Sequence, residues 1–190
     1  MSFLDALLGR TKLTPSNFDQ LIGIATANIS LEAQLGLKPS GCAAISFRPV
    51  SSGDFAAVEK EIDQLLAGSQ AEEHLTWTSS QDAYGYRWIT LHAPDFDNLA
   101  AEMHMLSSEL EDHGYGEQLL SAVFQFRDEA GHDVLWVYNY KRGRWYPFVP
   151  SGNRQRDNAT ELRLSAVMKP EMKIEPEMAN WYPIWDAPLG

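Results

Sequence analysis

The side chains that could form a metal site are few and widely spaced along this chain. The histidines are His74, His92, His104, His113 and His132. His104 and His113 are nine residues apart, which is about two and a half helical turns, so on one helix they would face apart and could not share a metal. His74 and His92 could meet across a hairpin, but two histidines without a third ligand make a weak site. The spacing therefore predicts no metal site.

Candidate nucleophiles are equally isolated. The Gly-x-Ser-x-Gly motif of many hydrolases does not occur. The single cysteine, Cys42, excludes an internal disulfide, and it follows Gly41 at a predicted strand start, where a buried thiol is the usual outcome. Two stretches containing glycine, 114–116 and 151–153, lack the lysine and the spacing of a phosphate-binding loop. We therefore predict no catalytic residue and no cofactor, and we do not expect an enzyme.

The most distinctive segment runs from Val134 to Arg156, and we call it the basic-aromatic segment. It contains five basic residues, six aromatic rings and no acidic residue, in a chain of net charge −11. Charge of one sign beside large flat rings is typical of a surface that meets an anionic partner. The candidate interaction residues are Lys141, Arg142, Arg144, Trp145, Tyr146, Arg154 and Arg156.

Three interpretations of the basic-aromatic segment are open. In the first, both faces of its first strand are half buried and its cations only solubilise a turn. In the second, it forms a groove for an acidic helix or a lipid phosphate, with arginines for charge and rings for stacking. In the third, acidic residues of the region 54–117 take up the arginines within the fold.

The region 54–117 is strongly acidic. It holds 14 acidic residues and two basic ones, which gives a charge of −12. Such a charge is typical of solvated helix faces, and it would also suit a docking face for a basic partner. It repels phosphate, so we do not expect nucleic acid as a partner.

The first 13 residues are predicted to form a separate amphipathic segment. Four apolar side chains fall on one face of a short helix there: Phe3, Leu4, Leu7 and Leu8. This face either docks on the domain or contacts a partner or a membrane interface, where Arg10 and Lys12 favour anionic lipid. We find no signal peptide and no apolar run long enough to span a bilayer. With the single cysteine, this favours a cytoplasmic protein, with peripheral contact at the inner membrane face as an option.

The elements that must position these residues predict an α+β fold. Alternation predicts strands at 43–48, 74–78, 86–93, 120–127, 134–141 and 145–149. Three helices are predicted to follow N-caps, the first after Ser52 or Asp54, the second after Asp95 and the third after Asp157. Gly68 is predicted to end the first and Gly114 the second. The helix after Asp95 is predicted to be the longest. Two more are predicted, one from Thr14 through Ala25 and one at 30–35 ended by Gly36. Hairpin links favour a mainly antiparallel sheet with helices packed on one face.

Periodicity also predicts which side chains face inward. The predicted core comprises Phe47, Val58, Ile62, Leu65, Trp88, Leu91, Leu99, Met103, Leu106, Val123, Phe124, Val137, Leu162 and Val167. We expect one α+β domain over residues 14–175, between the segment 1–13 and a C-terminal tail, 176–190. The tail is rich in proline and is expected to be extended, held on the domain by Trp181, Tyr182 and Trp185. The sequence indicates no oligomeric state.

Four stretches, taken in order, resemble the PspA-associated protein PspAB family. They are the opening MSFLDALLGRTKLTPSNFDQL, the block YKRGRWYPFVP, the run RDNATELRL and the ending WYPIWDAP. The resemblance covers essentially the whole chain and brings no catalytic residue with it. It implies an accessory protein of a PspA-type (phage shock) membrane stress response, acting by contact with a PspA-type protein or associated membrane-stress components. The alternative is an uncharacterised enzyme or small-ligand-binding protein with a cleft near the basic-aromatic segment.

Overall fold

The computed structural model describes residues 20–190, except for the side chains of Asp54 and residues 69–73. The predicted amphipathic segment, with Phe3, Leu4, Leu7 and Leu8, lies outside the described residues. So does Thr14, the predicted start of the first helix.

A six-stranded antiparallel sheet, in the order β2-β3-β1-β4-β5-β6, forms the frame of the molecule. Its strands are β1 (Lys38–Phe47), β2 (Thr76–Gln81), β3 (Arg87–His92), β4 (Leu119–Arg127), β5 (Asp133–Asn139) and β6 (Arg144–Phe148). Strands β1 and β4 are central, and Val123 of β4 lies opposite both Ala44 of β1 and Val137 of β5. The predicted α+β class with an antiparallel sheet is confirmed.

The α-helices of the described residues pack on one face of this sheet. They are α1 (Gly23–Leu35), α2 (Gly53–Glu73), α3 (Phe96–Asp112) and α4 (Asn158–Met168). The predicted N-caps are confirmed, because Ser52, Asp95 and Asp157 accept hydrogen bonds from the backbone N–H groups of Phe55, Asn98 and Thr160. Each cap satisfies a donor that the first helical turn leaves unpaired.

Two predicted helix ends are wrong. Gly68 does not end α2, which continues to Glu73 and is followed by His74 in the left-handed conformation. A glycine inside a helix lowers helix stability by only about 1 kcal/mol relative to alanine. The helix therefore continues through Gly68. At 21 residues α2, not α3 with 17, is the longest helix described. Residues 25–30 belong to the single helix α1 rather than separating two, because Ile24, Ala27 and Leu31 share one buried face.

Each face of the sheet carries an apolar cluster, and alternate strand residues belong to the two clusters. On the helix side, Ile45, Phe124 and Trp136 pack with helical residues such as Leu99 and Met103. On the opposite side, which we call the tail side, Ala44, Val123 and Val137 pack with Trp181 and Leu189 of the C-terminal tail. The strands contribute to both clusters, so one sheet joins them.

Most of the predicted core side chains are buried, and two are not. Leu65 is 41% exposed and Leu162 is 48% exposed, whereas their helices bury Leu66, Leu164 and Met168 instead. Val167 is only partly buried. The face of α4 that packs on the sheet thus differs from the predicted face. It includes Glu161, a buried glutamate that an apolar pattern does not indicate.

The two edges of the sheet differ. At β6, the Trp145 N–H donates to the Lys173 carbonyl and the Trp145 carbonyl accepts from the Glu175 N–H, at 2.9 and 2.8 Å. Two residues further on, Pro147 has no N–H, and the Val149 N–H donates to the Glu161 carboxylate at 2.9 Å. At β2, the backbone of residues 76–81 makes no hydrogen bond beyond its pairing with β3 within the part of the chain described. The β6 edge is thus covered and the β2 edge is open.

Candidate functional site

A cavity of about 740 Å³ opens on the tail side of the sheet, and we call it the sheet cavity. Its floor is formed by Ser46, Ser121, Asn139 and Tyr146, which come from four neighbouring strands. One wall is the β2–β3 turn and the other is the segment 182–187 of the tail. The cavity therefore exists because the tail crosses only part of the sheet.

Two cations stand at one end of the sheet cavity. Arg48 directly follows β1 and Lys141 follows β5, on either side of the start of β4. The Arg48 N–H donates to the Gln118 carbonyl at 2.9 Å, and the Tyr140 N–H donates to the Leu120 carbonyl at 3.2 Å. Two strand spacings place these backbones about 10 Å apart. Neither Arg48 nor Lys141 forms an ion pair with another described residue.

A third cation, Arg154, lies at the rim. Its Nη2 donates to both carboxylate oxygens of Asp186, at 2.9 and 3.1 Å. The loop that carries it is unusual, because Asn153 and Arg154 both have positive φ, 49° and 54°. That conformation is unfavourable for residues with a Cβ, and the hydrogen bond from Ser151 N–H to the Gln155 carbonyl closes the loop around it.

The other carboxylate that lines the sheet cavity, Asp82, is fully engaged. Its Oδ1 accepts the backbone N–H groups of Tyr84 and Tyr86, each at 2.9 Å. Its Oδ2 accepts the indole N–H of Trp88 at 3.0 Å. Asp82 therefore shapes the hairpin turn. No histidine or cysteine is found among the described residues that line the cavity.

Aromatic rings form much of the remaining lining. Tyr84 on the hairpin turn is 79% exposed and Tyr182 on the tail is 51% exposed, so a ring stands at each side of the mouth. Deeper, Trp185 packs edge-on against Phe148 with ring centroids 4.8 Å apart. Burial raises the pKa of Tyr146, so its phenol stays protonated, and its hydroxyl donates to the Tyr182 carbonyl at 3.0 Å.

The structure brings together only some of the candidate interaction residues. Lys141, Tyr146 and Arg154 line the sheet cavity. Trp145 is buried on the helix side, where its indole N–H donates to the Gln20 carbonyl. Tyr146 is also buried, and it stacks on Trp181. Their rings are therefore packed inside the fold.

Arg156 is held by the fold through two of its three guanidinium nitrogens, and Nη2 is buried without a hydrogen-bond partner in the described part of the chain. Its Nε donates to both carboxylate oxygens of Glu161 at 2.9 Å, and its Nη1 donates to the Trp181 carbonyl at 2.7 Å. Its guanidinium also lies 5.2 Å from the ring centroid of Phe148. This cation ties β6, α4 and the tail together.

The remaining arginines of the segment also contact the C-terminal part of the chain. Arg142 lies 3.8 Å from a carboxylate oxygen of Glu175, and Arg144 donates to the Ile174 carbonyl at 3.2 Å. The third interpretation is wrong about the source of the carboxylates. Within the described residues, the segment's partners are Glu161, Glu175 and Asp186 rather than the region 54–117.

Sequence reasoning did not find several residues of the sheet cavity. Arg48, Asp82, Tyr84, Trp88 and Asp186 are not among the candidate interaction residues. No motif joins them, because they are scattered between positions 48 and 186. One sequence signal exists for the hairpin turn, because Asp82 and Gly85 are residues typical of turns, and an aspartate there commonly accepts hydrogen bonds from nearby backbone N–H groups.

A polar cluster on the helix layer resembles a metal-ligand set. Glu61, Glu109 and His113 offer ligand atoms that all lie within 4.8 Å of one another. His113 Nε2 lies 3.1 Å from Glu61 Oε2, and this contact joins the end of α3 to α2. His113 Nδ1 lies 3.4 Å from Glu109 Oε1. The hydrogen bond from His113 Nδ1 to the Glu109 carbonyl, and then the nearby carboxylates, raise the pKa of His113. His113 therefore lies in contact with one glutamate of α2 and one of α3.

Cys42 is buried, as predicted. Its thiol donates to the Leu189 carbonyl with Sγ and O 3.1 Å apart, so the end of the tail covers it. Burial raises the pKa of the Cys42 thiol to about 11. The thiol is therefore protonated and shielded at neutral pH.

Among residues 20–190 there is no helix whose length and apolar character would let it cross a bilayer.

One family model matches the chain, that of PspA associated protein B, and the match covers residues 1–189. No curated protein and no solved structure matches. The family resemblance identified from the four sequence stretches is confirmed.

Proposed function

The chain belongs to the PspA associated protein B family, and we propose from this membership that it is a non-enzymatic accessory protein of a PspA-type membrane stress response. It acts in the cytoplasm by contact with a PspA-type protein. The single observation that carries the proposal is the family match across residues 1–189.

The chemistry of the sheet cavity supports a role without catalysis. Both carboxylates in its lining are already engaged, Asp82 by three hydrogen bonds and Asp186 by Arg154. Neither carboxylate is therefore free to act as a general acid or base. The buried thiol of Cys42 is protonated and covered, which also suits a structural role.

The turn between β5 and β6 is the part of the basic-aromatic segment best placed to meet an acidic partner. Lys141 is exposed and unpaired among the described residues, and the Arg142 side chain is 42% exposed. Arg144 is less available, because its guanidinium donates to the Ile174 carbonyl. We therefore assign the contact to Lys141 and Arg142, with the buried rings of Trp145 and Tyr146 as supports.

Affinity capture from the native host with crosslinking tests this function. The full-length chain is expected to retain a PspA-type protein, and the double variant Lys141→Glu/Arg142→Glu is expected to retain much less. The matched control is Lys169→Glu/Lys173→Glu, which makes the same change in charge at exposed positions outside the turn. Raising the salt concentration should weaken capture by the unaltered protein, since screening acts on exposed charges.

The possible membrane contact is tested separately. Reversal of Arg10 and Lys12 should alter association with anionic vesicles and leave capture of the protein partner unchanged. Failure of the unaltered chain to retain any PspA-type protein would contradict the proposed function. Equal retention by the turn variant would instead place the contact elsewhere on the chain.

A second candidate function is the binding of a small ligand near the basic-aromatic segment. The sheet cavity favours it, because Lys141, Tyr146 and Arg154 of that segment line a cavity of about 740 Å³.

A further inference from the structure

We propose that the sheet cavity binds a small organic anion whose body is flat and aromatic. This inference rests on the second candidate function and deepens it by naming the class of ligand, and it does not depend on the accessory role. The anionic group would lie between Arg48 and Lys141, and the ring system would lie among the aromatic side chains of the cavity.

The charges of the lining favour an anion. The chain carries a net charge of −11, yet three cations line the cavity, Arg48, Lys141 and Arg154. Asp82 and Asp186 are the carboxylates among the described lining residues, and both are engaged within the fold. Two cations at one end are therefore left without a partner in the part of the chain described, in a concave site whose walls strengthen their field.

The size and the rings favour a small aromatic molecule. Ligand sites commonly have volumes of roughly 300–1,000 Å³, and this cavity measures about 740 Å³. Tyr84 and Tyr182 expose their rings on opposite sides of the mouth. Exposed rings that face one opening suit stacking on a flat ligand.

The floor is polar but neutral. The hydroxyl groups of Ser46 and Ser121 lie 2.8 Å apart and hydrogen-bond to each other. Ser46 is only 2% exposed, so this pair is part of the built floor. Because the floor carries no charge, it suits the body of the ligand, and the cations at the strand ends set the position of the anionic group.

The topology disfavours an extended peptide. Strand addition needs an edge with free backbone N–H and C=O groups. The floor strands β1, β4 and β5 are each paired on both sides, and the β6 edge is covered. The hairpin turn and the tail also close two sides. A compact ligand fits this enclosure better than a continuing chain does.

Two dyes with nearly the same ring body test the proposal on the full-length protein. The first is 8-anilinonaphthalene-1-sulfonate, an aromatic anion, and the second is N-phenyl-1-naphthylamine, which lacks the sulfonate. We expect saturable binding of one anionic dye per chain, at least about tenfold tighter than the neutral dye, which corresponds to about 1.4 kcal/mol.

Indole N–H signals in NMR spectra locate the dye. The signals of Trp88 and Trp185, which line the cavity, should shift on titration, whereas that of Trp136 on the helix side should not. The double variant Arg48→Glu/Lys141→Glu should weaken binding of the anionic dye at least about tenfold. The control Lys169→Glu/Lys173→Glu makes the same change in charge outside the cavity and should bind as the unaltered protein does.

Several results would overturn the proposal. These are the lack of saturable binding, equal affinity for the two dyes, or shifts at Trp136 without shifts at Trp88 and Trp185. Equal weakening in the two charge variants would also overturn it. If an acidic peptide binds and neither dye does, the cavity serves a protein partner and the proposal is wrong. The shifts are measured on the unaltered protein, so a variant that fails to fold leaves the test intact, and no readout needs a PspA-type partner.

Discussion

At the scale of single residues, the cations of the basic-aromatic segment divide by burial. Arg156 meets a glutamate that is fully buried, whereas Arg154 meets Asp186 in a pair whose side chains are 68% and 63% exposed. An exposed pair contributes little because water and salt screen it. A buried pair costs free energy to desolvate, but removing one partner leaves the other charged and unpaired. The two arginines should therefore respond differently to substitution.

Substitution Arg156→Met should lower the free energy of unfolding by about 3–5 kcal/mol, because it leaves the Glu161 carboxylate buried without its cation. Urea denaturation followed by tryptophan fluorescence measures the change. Arg156→Met/Glu161→Gln should restore much of the loss, since glutamine can still accept the Val149 N–H. Arg154→Met is the exposed control and should cost about 0–1 kcal/mol. If Arg156→Met lowers the free energy of unfolding no more than Arg154→Met does, Arg156 is not a structural link.

His113 should titrate above the ordinary histidine pKa of 6.5 in the folded protein. Its protonated form gains the hydrogen bond to the Glu109 carbonyl and the carboxylates of Glu109 and Glu61. The resulting stabilisation is fully present below pH 6.5 and is lost as the pH rises through the folded-state pKa. NMR titration of the ring protons measures this pKa.

The variant Glu61→Gln should lower the pKa of His113 only in part, because the backbone hydrogen bond remains. A His113 pKa at or below 6.5 in the unaltered protein would contradict the observed contact between α2 and α3.

At the scale of elements, the alternation of apolar residues and the capping residues were sufficient to predict most of the strands and helices. The strands were predictable because their inward and outward residues alternate against two apolar layers, as Ile89 and Leu91 do against Trp88 and Thr90. The buried faces of the helices were less predictable than the strands. Leu65 and Leu162 look like core residues by type, but α2 buries Leu66 and α4 buries Glu161. A buried glutamate cannot be foreseen without its partner, which here lies five residues before it and is held by the tail.

Truncation of the tail should expose Cys42. A chain ending at Asp186 lacks Leu189, whose carbonyl accepts the thiol, but it keeps the contact between Arg154 and Asp186. The pKa of the thiol should fall from about 11 toward its ordinary value, and its reaction with a disulfide reagent at pH 8 should accelerate at least about tenfold.

A longer truncation, ending at Glu175, also removes Trp181 and should lower the melting temperature by roughly 2–12 °C, from a loss of about 1–3 kcal/mol. The full chain, whose thiol should react slowly, is the reference for both measurements. Rapid reaction of Cys42 in the full chain would show that the tail does not cover it.

At the scale of the whole molecule, the candidate site is a product of topology. Arg48, Asp82 and Lys141 follow three different strands, and only the sheet order places them around one cavity. The sequence indicated the basic-aromatic segment and a cleft near it, but not the hairpin turn or the tail segment that form its walls. Long-range pairings such as Arg154 with Asp186 carry no local signal, so they could not be predicted from spacing.

Backbone amide exchange should follow the position of each strand in the sheet. Strand β4 is paired on both sides and covered on both faces, so its amides should exchange slowest. Strand β2 is an edge with mostly exposed side chains and should exchange fastest among the strands. Hydrogen–deuterium exchange with mass spectrometry measures this order. Equal protection of β2 and β4 would show that β2 has a partner strand in solution.

The difference between the two sheet edges limits how copies of this protein could polymerise. Growth of a fibre by strand pairing needs two open edges on every subunit, so that each new copy leaves a fresh end for the next. At β6, Pro147 and the hydrogen bonds of Trp145 and Val149 remove that possibility. Two copies joined through β2 would leave no open edge within the described residues. Association through the sheet would therefore end with a pair.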